Sequence, residues 1–497
     1  MTPTTVDVAI IGAGFAGLGA AIRLQQQGDA SFVVFERATE VGGTWRDNIY
    51  PGCACDIPSP LYSFSFAPNP GWSRMFSGQP EIFAYLRDTV ERFNLRPHIR
   101  YRTDIIRAEY SDAEGLWRLH DRAGRHQATA RVVLMATGPL NRPKRPSLPG
   151  LEKFRGHTFH SAEWDYDYDL AGKRVAVIGT GASAIQFIPQ IAPQVQQLHV
   201  FQRSAPYILP RPDRPFSSGE KRWFRRLPLL QWALRTFIYW RNELGGLLFL
   251  GNETITKLTL DIVKRHMARA IQDPELRRKA TPNYKLGCKR VLVSNDYYPA
   301  LTRPNVELVT DPIAAVTPTG IITQDGQERA VDAIIFGTGF VASEIFIDLK
   351  VLGRHGRDLF AEWQRTSPEA YQGTAVAGFP NLLCLVGPNT GLAHNSLVHV
   401  MESQLNYVLD YLRILRQAGP GASLDVKPEA QRRYNEELQR KLATTTWASG
   451  CQSWYLTPEG KNTTLLPALT ATFRRATRRV RLQDFTVLHP VRVPVAA

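Results

Sequence analysis

VDVAIIGAGFAGLGAAIRLQQQG, residues 6–28, opens as a short apolar run, passes through Gly12, Gly14 and Gly17, and continues into an Ala-rich stretch. The run reads as a strand buried on both faces, and the stretch after it as a helix. The spacing G-x-G-x-x-G suits three separate needs, one for each glycine: a tight turn, close backbone approach to a pyrophosphate, and close packing of helix on strand. Free N–H groups and the positive end of the helix dipole would then face the phosphates.

One such pattern is weak, but the chain carries two. KRVAVIGTGASAIQFIPQIA, residues 173–192, repeats it with Gly179, Gly181 and Ala184, alanine being permitted at the third place. The strand that follows each helix separates the two sites. FVVFER ends near Glu36, twenty-four residues after Gly12, and LHVFQR ends in Arg203, twenty-four residues after Gly179. A carboxylate there bonds a ribose 2′-hydroxyl and repels a 2′-phosphate, whereas an arginine pairs with the phosphate. The first site is therefore expected to hold FAD and the second NADPH. The plain alternative for Arg203 is a solvated strand-end cation.

RVVLMATGP and AIIFGTGF each set a strand before a Thr-Gly pair, Thr137-Gly138 and Thr338-Gly339. Such turns let a backbone approach a cofactor or let the chain cross between domains. The expected fold is α/β, with two Rossmann-type dinucleotide-binding domains, the NADPH domain inserted into a split FAD domain. The expected segments are 1–140 (FAD), 141–211 (NADPH), 212–285 (a helical excursion and candidate wall of a substrate cleft), 286–375 (NADPH) and 376–497 (FAD), with crossings near residues 140 and 375.

Composition is that of a folded globular chain: 497 residues, 21% charged, 43% hydrophobic. The length suits two or three domains. A formal charge of +15 favours anionic ligands. Apart from Arg474–Arg481 the cations are scattered, and no zinc-finger or RNP pattern occurs, so nucleic acid is not expected. The five cysteines, Cys53, Cys55, Cys288, Cys384 and Cys451, are odd in number and dispersed. They read as reduced thiols without chemistry, and no metal site is expected. The N-terminus lacks a signal-peptide pattern, which points to the cytoplasm. The greasy stretch from Leu227 to Gly251 is interrupted by Arg235, Arg241 and Glu243, so it fails as a membrane span. It reads as a helix that is buried or lines a cleft, with peripheral membrane contact as the other reading. No residue pattern specifies an oligomeric state.

Between the two glycine motifs, FRGHTFHSAEWDYD places Phe154, Gly156, His160, Trp164 and Asp165 at F-x-G-x-x-x-H-x-x-x-W-D spacing. This resembles the fingerprint of the type I Baeyer–Villiger monooxygenases; the related N- and S-oxygenating flavin monooxygenases usually carry Phe or Tyr where Trp164 stands. GGTWRDNIYPGCACD resembles a second segment of that family through Gly42, Gly43, Trp45, Tyr50, Pro51, Gly52 and Asp56. The resemblance covers nearly the whole chain, through Lys289-Arg290, GPNTGLAHNS from Gly387 and CQSWYLTPEGKNTT from Cys451. Gly337 departs from it, since many relatives have Ala there.

The resemblance implies an NADPH- and O2-dependent enzyme that inserts oxygen next to a ketone carbonyl, giving an ester or lactone through a flavin C4a-peroxide. It implies Arg290 as the cation that stabilises the peroxyanion and the later oxyanion, with Asp56 orienting the guanidinium. The alternative for Arg290 is a second phosphate contact beside Lys289, which pairs with Arg203 on the 2′-phosphate. His160 and Trp164 are expected to form a joint between domain motion and flavin reduction. The expected cofactor contacts are Gly12, Gly14, Phe15, Gly17, Glu36, Thr44, Trp45, Asp56, Tyr62, Ile105, Gly138, Gly179, Thr180, Gly181, Ala182, Ser183, Gln186, Arg203, Lys289 and Arg290. Rival readings are an N- or S-oxygenase, whose neutral hydroperoxide needs no arginine, and a nucleotide-sensing protein without turnover. A disulfide reductase is disfavoured because no C-x-x-C lies near either motif.

Overall fold

The computed structural model describes residues 3–341 and 349–490, so the outer ends of the first and last expected segments, and residues 342–348 of the expected segment 286–375, lie outside the described residues. The chain begins with β1 (Thr4–Ile11), α1 (Phe15–Gln27), β2 (Phe32–Phe35), α2 (Thr44–Asp47), α3 (Gln79–Arg92) and β3 (Ile99–Arg100), followed by the meander β4 (Ile105–Ser111), β5 (Leu116–Asp121) and β6 (His126–Met135). A second unit starts with β7 (His157–His160), β8 (Arg174–Ile178), α4 (Ala184–Ile191), β9 (Gln197–Phe201) and β10 (Ile208–Leu209). Helices α5 (Ser218–Arg226), α6 (Pro228–Gly246), α7 (Glu253–Ala270) and α8 (Pro274–Ala280) interrupt it. It resumes with β11 (Leu292–Val293), α9 (Tyr297–Leu301), β12 (Val306–Val309), the hairpins of β13 (Ile313–Val316), β14 (Gly320–Thr323) and β15 (Glu328–Ala330), and β16 (Ala333–Phe336). The last part holds β17 (Lys350–Leu352), α10 (Leu359–Thr366), β18 (Leu382–Cys384), α11 (Leu397–Gln417), β19 (Ser423–Val426), α12 (Pro428–Ala443), α13 (Thr470–Ala476) and β20 (Phe485–Leu488).

Two sheets carry the architecture. The first has the order β17-β4-β5-β6-β1-β2-β3, with β18 beside β6; the second is β12-β9-β8-β16-β7. β1 is parallel to both neighbours, Val8 facing Phe32 on one side and Val132 on the other. β8 is likewise parallel to β9 and β16, Val177 facing Val200 and Ile335. Covered on both faces, such strands must be continuously apolar, which is why DVAII and RVAVI alternate so little.

The glycines explain the resemblance between the two halves. Gly12 has φ +105°, and a Cβ there would stand 2.6 Å from the Ala136 carbonyl oxygen; Gly179 has φ +108°, and its Cβ would stand 2.5 Å from that of Gly337. Each Thr-Gly pair thus follows a strand end that presses on the first glycine of a motif. The Gly337 departure also has a local reason, since a Cβ there would meet the Ala184 Cβ at 3.0 Å. Gly337→Ala is expected to cost about 1 kcal/mol by overpacking α4 on β16. Urea titration of the single variant and of Gly337→Ala/Ala184→Gly checks this: the second change should recover most of the loss, and independent losses would refute the contact.

Two expectations need correction. The chain is back in the first sheet by Lys350, not near residue 375, because β17 pairs with β4 (Val351 with Ala108). Three residues are too short for a periodicity to announce them. The greasy stretch from Leu227 is not simply a buried helix either. α6 turns polar groups inward, where Gln231 donates to the Asn69 carbonyl (2.7 Å) and Arg235 to those of Pro60 (2.7 Å) and Ser63 (3.0 Å). Its Leu229, Trp232, Phe237, Trp240 and Leu244 face outward. No helix among the described residues is long and apolar enough to cross a membrane.

Candidate active site

The first cradle is built at the junction of β1 and α1. Gly14 caps α1 with extended backbone and no side-chain acceptor, so the first N–H groups of the helix have no capping side chain. Across from it Gly43, at φ +51°, approaches so closely that a Cβ on it would lie 3.4 Å from the Gly14 Cα. Any side chain at either place would fill the gap over the helix end, which is the room a pyrophosphate needs. Nothing lies within 4 Å of where a Gly138 Cβ would be.

Glu36 is buried and already works inside this cradle. Its Oε2 accepts from the Ala13 N–H (3.0 Å), and its Oε1 accepts from the Ala38 N–H (3.0 Å) and from Arg46 (2.9 Å). A carboxylate has about four acceptor sites, so one remains for a ribose hydroxyl. Sequence reasoning missed Arg46, and no spacing rule would have found it. Phe15 packs edge-on to Tyr62 (centroids 5.1 Å), and the Trp45 indole donates to the Tyr62 hydroxyl (3.1 Å). Thr44 is exposed at the start of α2. Ile105 of β4 is buried in an apolar cluster with Val33 and Phe35 of β2 and Val133 and Met135 of β6.

The second cradle has a cationic edge. Gly181 is open, its nearest neighbour for a Cβ being the Gly337 oxygen at 4.0 Å, and Ala182 and Ser183 continue the turn into α4, whose N-terminus has no side-chain cap. The Thr180 hydroxyl donates to the Ser204 carbonyl (3.3 Å), fixing the end of β9. Lys289 donates to the Ser204 hydroxyl (3.0 Å) and lies over the Tyr284 ring at 4.7 Å. Burial, and then the nearby Arg203 charge, pull the Lys289 ammonium below its usual range. Among the described residues neither cation has a carboxylate partner, so the pair fits an anion such as a 2′-phosphate.

The two cradles meet at the loop 50–56. Gln186 of α4 accepts from the Tyr50 hydroxyl (3.0 Å) and the Ala54 N–H (3.2 Å), and donates to the Ala54 carbonyl (3.0 Å). Gly52 is required there, for its Cβ would stand 2.7 Å from the Gln186 carbonyl oxygen. A cavity of about 580 Å3 opens at this seam, lined by Tyr50, Gly52, Gln79, Gln186, Arg211 and Ser294 among others. Just past the loop, Arg290 donates to Asp56, 234 residues away in sequence. The Asp56 charge lifts the Arg290 pKa above the arginine range against the opposing effect of burial. Tyr455 also acts on this pair: it is buried, its hydroxyl has no partner, and burial raises it to about 12. The sequence had marked its segment only as a family feature.

The fingerprint packs on α4. Trp164 packs on Phe187 of α4 (5.2 Å), which in turn packs on Tyr50 (6.1 Å). His160 is fully buried at the end of β7, accepts from the Ala162 N–H (3.1 Å), and is pushed down to about 4 by burial. Asp165 accepts from its own turn and pairs with His157 (2.8 Å). Phe154 stacks against Gly156, where a Cβ would lie 2.5 Å from its ring.

The expectation of five reduced cysteines is also corrected. Cys288 and Cys451 form a disulfide, their Cα atoms 6.3 Å apart across 163 residues of sequence. Only the fold brings them together, joining the Lys289-Arg290 segment to that of Tyr455. Cys53, Cys55 and Cys384 are free and buried, and burial pushes Cys53 up to about 11 and Cys384 to about 12, which leaves them inert thiols.

A family model described as flavin-binding monooxygenase-like matches residues 5–227. The chain is 51% identical over 492 residues to a Baeyer–Villiger monooxygenase of Pseudomonas aeruginosa, covering 99% of this chain and 92% of that protein. The chain belongs to the Baeyer–Villiger monooxygenases. A second member, from Streptomyces coelicolor, is 48% identical and covers 99% of this chain and 94% of its own length. Among solved structures, cyclohexanone monooxygenase in a closed form superposes with a TM-score of 0.87 at 30% identity, over 98% of this chain and 99% of that one. An oxidised steroid monooxygenase bound to NADP superposes with a TM-score of 0.85 at 30% identity, over 98% of this chain and all of the other. This Baeyer–Villiger monooxygenase is therefore an FAD- and NADPH-dependent flavoprotein that inserts oxygen beside a ketone carbonyl. The glycine cradle at α1 and the cation pair at β9 match that cofactor set in chemistry.

Proposed function

We propose that Arg290 is the fixed positive charge of this ketone oxygenation, that Asp56 holds it, and that Arg203 with Lys289 selects NADPH by its 2′-phosphate. The overall reaction converts ketone, O2, NADPH and a proton into ester or lactone, NADP+ and water. When bound, FAD supplies hydride acceptance and oxygen activation. The chain's own residues supply the electrostatics.

The single observation that carries the reading is the Asp56–Arg290 pair at the seam between the two cradles, flanked by Tyr62, Cys55 and Tyr455. A guanidinium held this way stays charged at any working pH. It can meet the negative charge of the attacking oxygen and then that on the substrate's carbonyl oxygen. Cys55 and Tyr455 beside it are buried and keep water from that side, while the pair itself stays partly open to the cleft. Trp164 and Phe187 support the loop 50–56 through α4, which makes the fingerprint a positioning device. NADPH dependence supports a cytoplasmic working place.

The test is NADPH-driven oxygen consumption with product analysis over linear, cyclic and polycyclic ketones beside a thioether. Esters or lactones are expected; oxidised thioether with no ketone product would overturn the reading. For the coenzyme, Arg203→Ala is expected to raise KM for NADPH by roughly 10- to 100-fold, the worth of lost charge-assisted hydrogen bonds. Both kcat and the weaker use of NADH should stay unchanged. An unaltered KM for NADPH would return Arg203 to being a solvated strand-end cation.

A further inference from the structure

α6 turns its largest apolar side chains outward. Leu229, Trp232, Phe237, Trp240 and Leu244 recur at spacings of three to five and are 71%, 62%, 64%, 54% and 63% exposed. The inward face carries Ile238 together with Gln231, Arg235 and Glu243, the three polar groups each held by hydrogen bonds to neighbouring segments. A surface helix ordinarily hides its apolar stripe, and an exposed patch of large side chains marks a surface that meets something.

The charge around the stripe says what. α5 packs against α6 and brings Lys221, Arg222, Arg225 and Arg226, while Arg241 lies on α6 itself. Between residues 218 and 250 the only acidic residues are Glu220, spent on Arg214, and the buried Glu243. Trp223 and Leu227, also exposed, continue the apolar surface onto α5. A second copy of this chain would set the same cations against one another, and the chain as a whole carries +15.

We propose that α5 and α6 dock the enzyme onto an anionic phospholipid surface, with the Trp and Leu side chains in the headgroup and acyl boundary and the cations on lipid phosphates. Apolar burial combined with lysine and arginine is the interfacial pattern of a helix lying in the membrane plane. Each cation near such a surface is worth on the order of a fivefold gain in partitioning. Just beyond the C-terminal end of α6, the buried Leu248 and Phe249 share an apolar cluster with Tyr455, which ties the helix to the interior near Arg290.

The test is flotation of the full-length holoenzyme with vesicles of phosphatidylcholine, with and without phosphatidylglycerol, at low and high salt. The protein is expected to float with the anionic vesicles at least about tenfold more than with the neutral ones, and to lose that preference at high salt. Trp232→Ser/Phe237→Ser/Trp240→Ser should abolish flotation, and Arg222→Ser/Arg225→Ser/Arg226→Ser should abolish the preference for anionic lipid. FAD content and oxidation of a water-soluble ketone should be unchanged in both, which separates this proposal from the assignment of Arg290. Absence of wild-type flotation, or flotation equal in the aromatic variant, overturns it. So would a concentration-dependent dimer, seen by sedimentation, that the same aromatic variant dissolves, since the face would then belong to a second copy.

Discussion

Arg290→Ala is expected to lower ketone oxygenation by on the order of 10²- to 10³-fold, the usual cost of removing a preorganised partner for a developing negative charge. Anaerobic reduction of the flavin by NADPH should persist, because that step precedes the attack on the ketone carbonyl to which Arg290 is assigned. Oxygen uptake should continue as hydrogen peroxide release, and thioether oxidation, which needs no such cation, should survive. Arg290→Lys restores a charge without the planar fork that grips Asp56 and should give an intermediate rate. Asp56→Asn leaves the guanidinium in place but loosely held, so its loss should be smaller than that of Arg290→Ala. The measurement is the product-to-peroxide ratio under saturating ketone. Ketone oxygenation within about tenfold of wild type in Arg290→Ala would end the assignment and return Arg290 to a phosphate contact beside Lys289.

Glu243→Ala is expected to destabilise the protein by about 3 kcal/mol, the cost of stripping a buried, hydrogen-bonded carboxylate from its donors. Oε1 accepts from Thr470 (2.6 Å) and Asn395 (2.7 Å), Oε2 accepts from the Ala471 N–H (3.2 Å), and His394 lies 3.4 Å away. Burial alone would raise this carboxyl, but His394, Thr470, Asn395 and the Ala471 N–H together pull it down to about 2. With the folded value below the unfolded one, the stabilisation is fully present above the ordinary glutamate range near 4.3, and is lost as pH falls from there toward about 2. The shift corresponds to about 3 kcal/mol at neutral pH. Urea midpoints from pH 2 to pH 7 check it: the wild type should lose stability steeply in the acid window, and Glu243→Gln should show a shallower slope there. Parallel curves would mean that Glu243 does not anchor α6.

Both predictions rest on contacts that differ in legibility. The glycine motifs were readable because every requirement they meet is local: a turn, a close approach and a helix start within six residues. Glu36 and Arg203 were readable because strand, helix and strand have nearly fixed lengths, so a residue twenty-four positions on returns to the cradle edge. Asp56 and Arg290 were legible only through resemblance to a family, since nothing in either stretch says that the two side chains touch. Arg46 on Glu36, Tyr455 beside Arg290, and the disulfide from Cys288 to Cys451 gave no signal of their own.

α6 shows the limit from the other side. The greasy stretch is a helix as read, yet a greasy run names an element without saying which way its apolar side chains point. Inward and outward were decided by the carbonyls of Pro60, Ser63 and Asn69 and by the donors around Glu243, all supplied by segments distant in sequence. By itself the sequence determined two parallel-sheet nucleotide folds and their order, because those follow from short-range sterics. The tertiary structure alone decided the disulfide, the early return of the chain through β17 and the outward apolar face of α6, because each depends on which distant groups satisfy one another once the chain has folded.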